Sequence, residues 1–230
     1  MAAEFDAGAE FDAGAEFDAG AEFDRQVGAL LGKGYPREAG MTEEAFLGLV
    51  EPLRAEVLAR SAQMRPPSRN RVPFVVVVTK HVVPAERTMP MTRLGSKPGF
   101  VSPDTADIHR FEAIDGVDVP DKHAYLVVDV ERGDEYRNVR PDDALTAITA
   151  RGRTPLTVDE GIAFVSAFPD SLEKNHCFSL VASRCGDRRV PALWISKGAP
   201  KLGWCWAGNP HTWLGSASCG GRVAAQGPAA

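Results

Sequence analysis

The N-terminal part of the chain carries apolar residues at helical spacing. Phe23, Val27, Leu30 and Leu31 share one face, which predicts a helix from Glu22 that stops at Gly34. A second helix is expected after a Thr42 cap, with an apolar stripe formed by Phe46, Val50, Leu53 and Val57. Pro52 lies inside that stripe, so it either kinks the helix or begins a second segment.

Apolar β-branched runs then predict two buried strands, over residues 73–83 and 124–130. The intervening residues 84–122 contain five prolines and no clear period. A stretch this long is either functional or holds short strands that the pattern does not resolve.

A helix pair is predicted in the centre of the chain. Its first helix begins at Pro141 and ends near Gly152, which is suited to a left-handed C-terminal position. Its second helix begins with a capping box of Thr157 and Glu160 and ends before Pro169.

Alternating residues follow the helix pair and predict a meander of strands over residues 177–183, 190–196 and 202–207, with a possible fourth strand over 213–219. The predicted fold class is therefore α+β, with N-terminal helices, a central helix pair and a mostly antiparallel sheet ending in a C-terminal meander.

The two ends differ from the central region in composition. Residues 3–20 are three copies of Ala-Glu-Phe-Asp-Ala-Gly, which indicates a disordered tail over 1–21, either a slipped duplication or an acidic-aromatic docking segment. A single domain is predicted over 22–221, with two smaller domains as the alternative, and a disordered end over 222–230.

Charge and hydropathy narrow the class of protein. The net charge of -5 argues against a nucleic-acid partner, and no apolar run is long enough for a membrane span. No signal-peptide pattern is visible at the N-terminus, so a soluble, cytoplasmic protein with reduced cysteines is expected. No cofactor is predicted.

The stretch Leu202–Gly221 has the most unusual composition in the chain. It contains no charged side chain, but it holds Trp204, Trp206 and Trp213. The tryptophans are expected either in the core or as an aromatic platform for a ligand, with Trp204 and Trp206 on one face of a strand.

Soft metal ligands and thiols concentrate in the same quarter of the chain. The candidates for a metal site are Cys177, Cys185, Cys205, His211 and Cys219. Their spacing lacks the close pairs of zinc sites, so buried cysteines are the alternative. Cys177 with His211, or Cys205 with His176, would be a thiol dyad only if strands bring them together.

A binding site is predicted from two polar segments. Glu173, Asn175 and His176 precede the first strand of the meander, while Asn209 and His211 form the turn after its third strand. These segments either share one pocket with Trp204, Trp206 and Trp213 as walls, or serve as connections that satisfy backbone groups. Simple meander topology places them at opposite ends of the sheet, unless residues 213–219 fold back.

The basic stretch over residues 65–71 has two interpretations, a solvated connector or a phosphate-contacting strip. Motifs typical of nucleotide, serine-hydrolase or zinc-protease sites are absent from the sequence.

Several segments resemble a known family: Phe23–Gln26, Gly152–Thr157, Lys174–Leu180, Arg188–Ser196 and Pro200–Gly215. Together they are similar to a family of actinobacterial proteins defined as a domain of unknown function, over about Phe23 to Cys219. The family has no assigned activity, so the resemblance implies domain boundaries and no chemistry.

Two classes of function follow from these observations. The favoured prediction is a binding or interaction protein without catalytic machinery, whose partner is an unknown small molecule or protein. The alternative is a hydrolase that uses the Cys/His-rich C-terminal sheet, with or without zinc.

Overall fold

The computed structural model describes residues 17–226. Within this range the chain forms seven α-helices and six short 3-10 helices. The helices are α1 Ala19–Gly32, α2 Tyr35–Glu38, α3 Glu43–Val50, α4 Leu53–Leu58, α5 Ala85–Thr88, α6 Pro141–Ala150 and α7 Val158–Ala167.

Fourteen strands complete the fold of this range. They are β1 Arg71–Val78, β2 Arg93–Leu94, β3 Lys97–Pro98, β4 Phe100–Val101, β5 Glu112–Ala113, β6 Ala124–Glu131, β7 Thr154–Pro155, β8 Cys177–Ser179, β9 Ser183–Arg184, β10 Arg189–Ser196, β11 Ala199–Trp206, β12 Leu214–Ser216, β13 Ser218–Cys219 and β14 Gly221–Val223. The predicted α+β class is confirmed, and most strand pairs are antiparallel.

The first sheet has the order β1-β6-β13-β7, and β14 also pairs with β6. Because side chains alternate along a strand, β1 contributes to two cores. Val75 and Val77 face α7 and the second sheet. Phe74 and Val76 face the N-terminal helices.

The N-terminal helices cover the outer face of this sheet. Phe23, Phe46 and Leu53 are fully buried against it. Pro52 precedes α4, so the predicted stripe divides into two helices, and Thr42 caps the first of them by accepting from the Ala45 N–H.

A buried glutamine of α1 forms hydrogen bonds with backbone groups on the free edge of β1. The Gln26 side chain donates to the carbonyl of Phe74 at 3.1 Å and accepts the N–H of Val76 at 2.9 Å. An edge strand otherwise leaves such groups unpaired, so this amide takes the place of a neighbouring strand.

The second sheet contains the predicted meander. β8, β10 and β11 pair antiparallel in the order β12-β8-β10-β11-β4. The first predicted strand is shorter than expected, because Ser183 departs to pair with β5 as part of β9. Residues 84–122 hold short strands and turns, which was one of the two alternatives.

The predicted fourth strand does not continue the meander. The chain returns across the sheet, and β12 pairs in parallel with β8. After Ala217 the same segment enters the first sheet, where Ser218 of β13 pairs with both β6 and β7. Residues 213–219 therefore join the two sheets.

The first described helix and the last described strand both extend beyond the predicted domain boundaries. α1 begins at Ala19, inside the repeat, where Asp18 accepts the N–H of Ala21. Arg222 lies in β14, so the strand passes the predicted boundary at Gly221, because it completes the edge of β6. The remaining residues of the predicted tails, 1–16 and 227–230, lie outside the described residues.

Across residues 17–226, no helix has the length and apolar content that crossing a membrane requires.

Candidate functional site

The return of the chain brings part of the predicted site together. Leu214 is the register partner of Cys177, and the Cys177 N–H donates to the carbonyl of Trp213 at 3.0 Å. The residue before Cys177 is His176, and the ring of Trp213 packs against that of His211 at 5.3 Å between centroids. His176, His211 and Trp213 thus lie at one end of the second sheet.

His176 belongs to a network of ion pairs. Its Nδ1 lies 3.0 Å from Oδ2 of Asp134. The buried Arg132 donates one hydrogen bond to each oxygen of the same carboxylate, at 2.8 Å to Oδ1 and 2.7 Å to Oδ2. Arg132 also donates to the carbonyl of Ser171 and lies 3.6 Å from Glu173. Burial alone would raise the pKa of Asp134, but the hydrogen bonds from Arg132 and His176 hold it below its ordinary value.

The turn that carries these residues is a tight hairpin. Glu173 and His176 exchange backbone hydrogen bonds at 3.2 and 2.9 Å, and Asn175 adopts a left-handed φ of 66°. The Asn175 carbonyl accepts from Arg137. These contacts support the interpretation as a connection whose polar groups are satisfied within the protein.

The other predicted binding residues lie elsewhere. Trp204 and Trp206 share one face of β11, with ring centroids 4.7 Å apart, and the Asn209 N–H donates to the carbonyl of Trp206. Trp206 pairs with Arg189, whereas Trp194, five residues further along β10, contacts Trp213. At ~3.4 Å per residue, the two groups are separated by ~17 Å along the strand. The eight residues therefore form two separate clusters.

The five candidate metal ligands have different neighbours. All four cysteines are free and buried, and burial raises the pKa of each thiol. Cys177 approaches the Glu173 carbonyl, Cys185 approaches Asp187, Cys205 approaches Ser179, and Cys219 lies in the first sheet. Residues 17–226 contain no group of three or more His, Cys, Asp or Glu side chains placed to hold a metal ion.

A groove of about 570 Å³ lies instead beside the basic stretch. One wall of the groove is formed by the turn that follows α4. The other wall is formed by the start of β1 and the end of β6. The lining residues are Arg60, Gln63, Met64, Arg65, Pro66, Ser68, Arg71, Val72, Pro73, Val128 and Asp129. We call this cavity the arginine groove.

Local sequence shapes the wall formed by residues 65–73. Pro66 and Pro67 exclude a helix, and the Ser68 N–H donates to the Arg71 carbonyl at 2.7 Å. Pro73 lacks a backbone N–H and lies opposite Asp129, which adopts a left-handed φ of 53°. The missing ladder bond at Pro73 thus coincides with the left-handed backbone of Asp129, while the register of the two strands continues unchanged on either side.

The charges of the arginine groove are unbalanced. Arg60 pairs with Glu56 at 2.7 Å, and Arg71 pairs with Asp129 at 2.6 Å. Arg65 has no carboxylate within 4 Å among the described residues. Asp129 is the one acidic residue in the lining, and Arg153 also contacts it at 2.7 Å.

Asp129 remains ionised without making the groove acidic. Burial would raise its pKa, but hydrogen bonds from Arg153 and Arg71 lower it below the ordinary value. Arg71 and Arg153 each lie 3.3 Å from Glu131 as well, so the surplus positive charge of the groove is that of Arg65.

Two further cavities open at the start of α7. The two adjoining cavities, of about 240 and 210 Å³, share Lys80, His81, Phe111, Glu112, Val158 and Asp159. Asp159 accepts the backbone N–H of Lys80 at 2.8 Å, while the Lys80 ammonium pairs with Glu112 at 2.5 Å. Burial raises the pKa of Asp159 to about 6.

Asp159→Asn is expected to stabilise the protein by about 1–2 kcal/mol at pH 8, a value reduced for solvent screening. The folded-state pKa of about 6 exceeds the ordinary value of 3.8, so the wild type loses stability as the pH rises from about 4 to 6, and the loss is complete above that range. The gain is expected to fall to a few tenths of a kcal/mol at pH 4, where the folded state is protonated and the unfolded state is roughly half protonated.

Urea unfolding at pH 4, 6 and 8 measures this effect, with Asp170→Asn on the surface as the control. An equal gain at pH 4 and pH 8 contradicts the assignment.

The sequence indicated the basic stretch but not its groove. Arg65 and Arg71 were visible as a charged run with a phosphate-contacting alternative, whereas the opposing wall comes from Val128 and Asp129, more than fifty residues away. Nothing in the local pattern pairs these segments.

The fold and the groove define an α+β domain with a cationic surface cavity. A family model described as a family of unknown function, DUF5701, matches residues 29–225. The chain belongs to this family, which confirms the resemblance to a domain of unknown function. No curated protein matches the chain, and no solved structure matches it.

Proposed function

We propose that this protein binds a small organic anion, a carboxylate or phosphate monoester attached to an apolar group, in the arginine groove. One observation carries the proposal: three arginines line a cavity of about 570 Å³ whose single carboxylate is already paired with two guanidinium groups. The cytoplasmic location and the actinobacterial source stay predictions.

The chemistry of the lining supports this class of ligand. Guanidinium groups bind carboxylate and phosphate oxygens through two parallel hydrogen bonds. Met64, Val72 and Val128 offer apolar contact beside them. Small-molecule sites combine apolar walls with a few polar groups in ~300–1,000 Å³, a range that includes this groove.

A pair of matched fluorescent probes tests the proposal. 1-Anilinonaphthalene-8-sulfonate carries an anion on an aromatic body, and N-phenyl-1-naphthylamine has the same body without the sulfonate. Arg65→Gln is expected to weaken binding of the sulfonate about tenfold, because a charge-assisted hydrogen bond contributes about 1.5–3 kcal/mol. Binding of the neutral probe is expected to remain within twofold.

Arg69→Gln is the matched control, since Arg69 belongs to the same basic stretch but does not line the groove. Equal losses in the Arg65 and Arg69 variants, or no saturable sulfonate binding, contradict the proposal. A fluorescein-labelled single-stranded oligonucleotide is the third probe. If it binds tightly and both variants weaken its binding equally, the basic stretch is a nucleic-acid contact surface and not a small-molecule site.

The Cys/His-rich sheet gives the hydrolase alternative no support in the described residues. His176 approaches Asp134, and Cys177 approaches a backbone carbonyl. We therefore do not propose it.

A further inference from the structure

A buried hydroxyl in the cavity at the start of α7 lacks a partner. Thr79 is 5% exposed, and its Oγ1 makes no hydrogen bond within the described structure. The backbone of Thr79 is satisfied, because its N–H donates to His123 and its carbonyl accepts from Val82 and Val83. Only the side chain of this residue, which lines the 240 Å³ cavity, is left unpaired.

Asp159 lines the same cavity and lacks a counter-ion. Its Oδ2 accepts the Lys80 N–H, and no lysine, arginine or histidine nitrogen of residues 17–226 lies within 4 Å of its carboxylate. The Lys80 ammonium donates to Glu112 and to the Phe111 carbonyl. A buried carboxylate without a charged partner is unfavourable, so a cation supplied by a ligand would stabilise it.

The remaining lining favours a cation over an anion. With Lys80 and Glu112 paired to each other, Asp121 and Asp159 outnumber Lys122. Phe111, Val119, Pro120 and Val158 give apolar surface for a short carbon chain or a ring. Ser183 accepts the Val158 N–H, which leaves its hydroxyl hydrogen available as a donor.

We propose that this cavity is a second binding site, which takes a small organic cation through its primary ammonium group. The ammonium pairs with Asp159, the covered hydroxyl of Thr79 rotates about its χ1 bond to accept a second hydrogen bond from it, and the carbon body lies against Phe111 and Val158. The site shares no lining residue with the arginine groove, so each proposal stands or fails separately.

Benzylamine is the probe, and benzyl alcohol is its uncharged counterpart. In a titration at pH 7.5 followed by amide NMR, benzylamine is expected to shift the resonances of Thr79, Lys80 and Asp159 in a saturable manner. Asp159→Asn is expected to weaken binding at least tenfold, and Thr79→Val several-fold. Asp170→Asn, far from the cavity, is the control and is expected to change the Kd by less than twofold.

Lowering the pH supplies an independent readout. Lys80, His81, Glu112 and Glu160 are the charged or titratable neighbours of Asp159, and burial places its pKa at about 6. At pH 5 about a tenth of Asp159 is ionised, so the affinity for benzylamine is expected to fall about tenfold in the wild type. The affinity of the Asp159→Asn variant is expected to change much less.

Three results overturn the proposal: no saturable shifts with benzylamine, unchanged affinity in Asp159→Asn, or equal binding of benzyl alcohol. The last result would identify an apolar cavity in which Thr79 bonds only to water. Because Asp159→Asn is expected to be more stable than the wild type at this pH, lost binding in that variant is separable from lost folding.

Discussion

Arg222→Met is expected to lower the free energy of unfolding by about 3–5 kcal/mol, the largest effect we predict for a single charged residue. Arg222 donates to both carboxylate oxygens of Glu160 at 2.6 and 2.8 Å, and Glu160 is fully buried. Methionine keeps an unbranched apolar stem but leaves the carboxylate buried without its positive partner. Equilibrium unfolding in urea at pH 7 measures the loss.

The double variant Arg222→Met with Glu160→Gln separates this cause from simple loss of contacts. Glutamine removes the buried charge and still accepts the Thr157 N–H that completes the capping box. The double variant is expected to be more stable than Arg222→Met alone, although bonds from Arg222 to Thr154 and Pro155 remain lost. A loss below about 1 kcal/mol in the single variant contradicts the prediction.

Gly133→Ala is expected to cost about 3 kcal/mol or more. Gly133 has a left-handed φ of 76°, and an added Cβ would overlap the backbone carbonyl of Ser216. The left-handed conformation costs an alanine ~1–2 kcal/mol, and overpacking against backbone adds ~1–3 kcal/mol. The substitution would also displace the adjacent Arg132 and Asp134.

Gly116→Ala is the matched control for this prediction. Gly116 has a similar φ of 82°, but an added Cβ meets no atom within 4 Å. Its expected loss is only about 1 kcal/mol, from the conformation alone. Thermal unfolding in the same buffer measures the loss of stability of each variant relative to the wild type. Equal losses in the two variants would show that overlap with Ser216 does not contribute.

Gly133 also explains why the predicted site is only partly assembled. The close approach of Gly133 to Ser216 holds β12 beside β8, and this pairing brings Trp213 to His176. The sequence analysis left open whether residues 213–219 fold back. They do, but Trp204 and Trp206 remain at the other end of the sheet, because β11 runs antiparallel to β10.

The contacts of the predicted site residues come from distant parts of the chain. His176 was predicted from a dense polar segment, yet its partner Asp134 lies 42 residues earlier and follows a different strand. The sequence showed the arginine groove only as a charged run, and it showed the cavity at α7 only as the capped start of a helix.

Features whose physical causes lie within a few residues could be predicted from the local sequence. Thr157 and Glu160 form the predicted capping box, and Gly34 and Gly152 adopt the predicted left-handed conformation. Sterics and hydrogen bonds within one turn decide these positions, so no distant partner is needed. The apolar run that predicted β6 and the alternation that predicted β10 are local in the same sense.

Contacts between distant helices and strands follow from the tertiary structure alone. Gln26 forms hydrogen bonds with the backbone of β1 about fifty residues later in the sequence, and Arg222 pairs with Glu160, sixty-two residues earlier. Asp129 and Arg60 line the same groove from opposite sides. Strand pairing and the burial of charge depend on which edges are free once the whole core has formed. No periodicity within one segment carries that information, since many pairings satisfy the same local pattern.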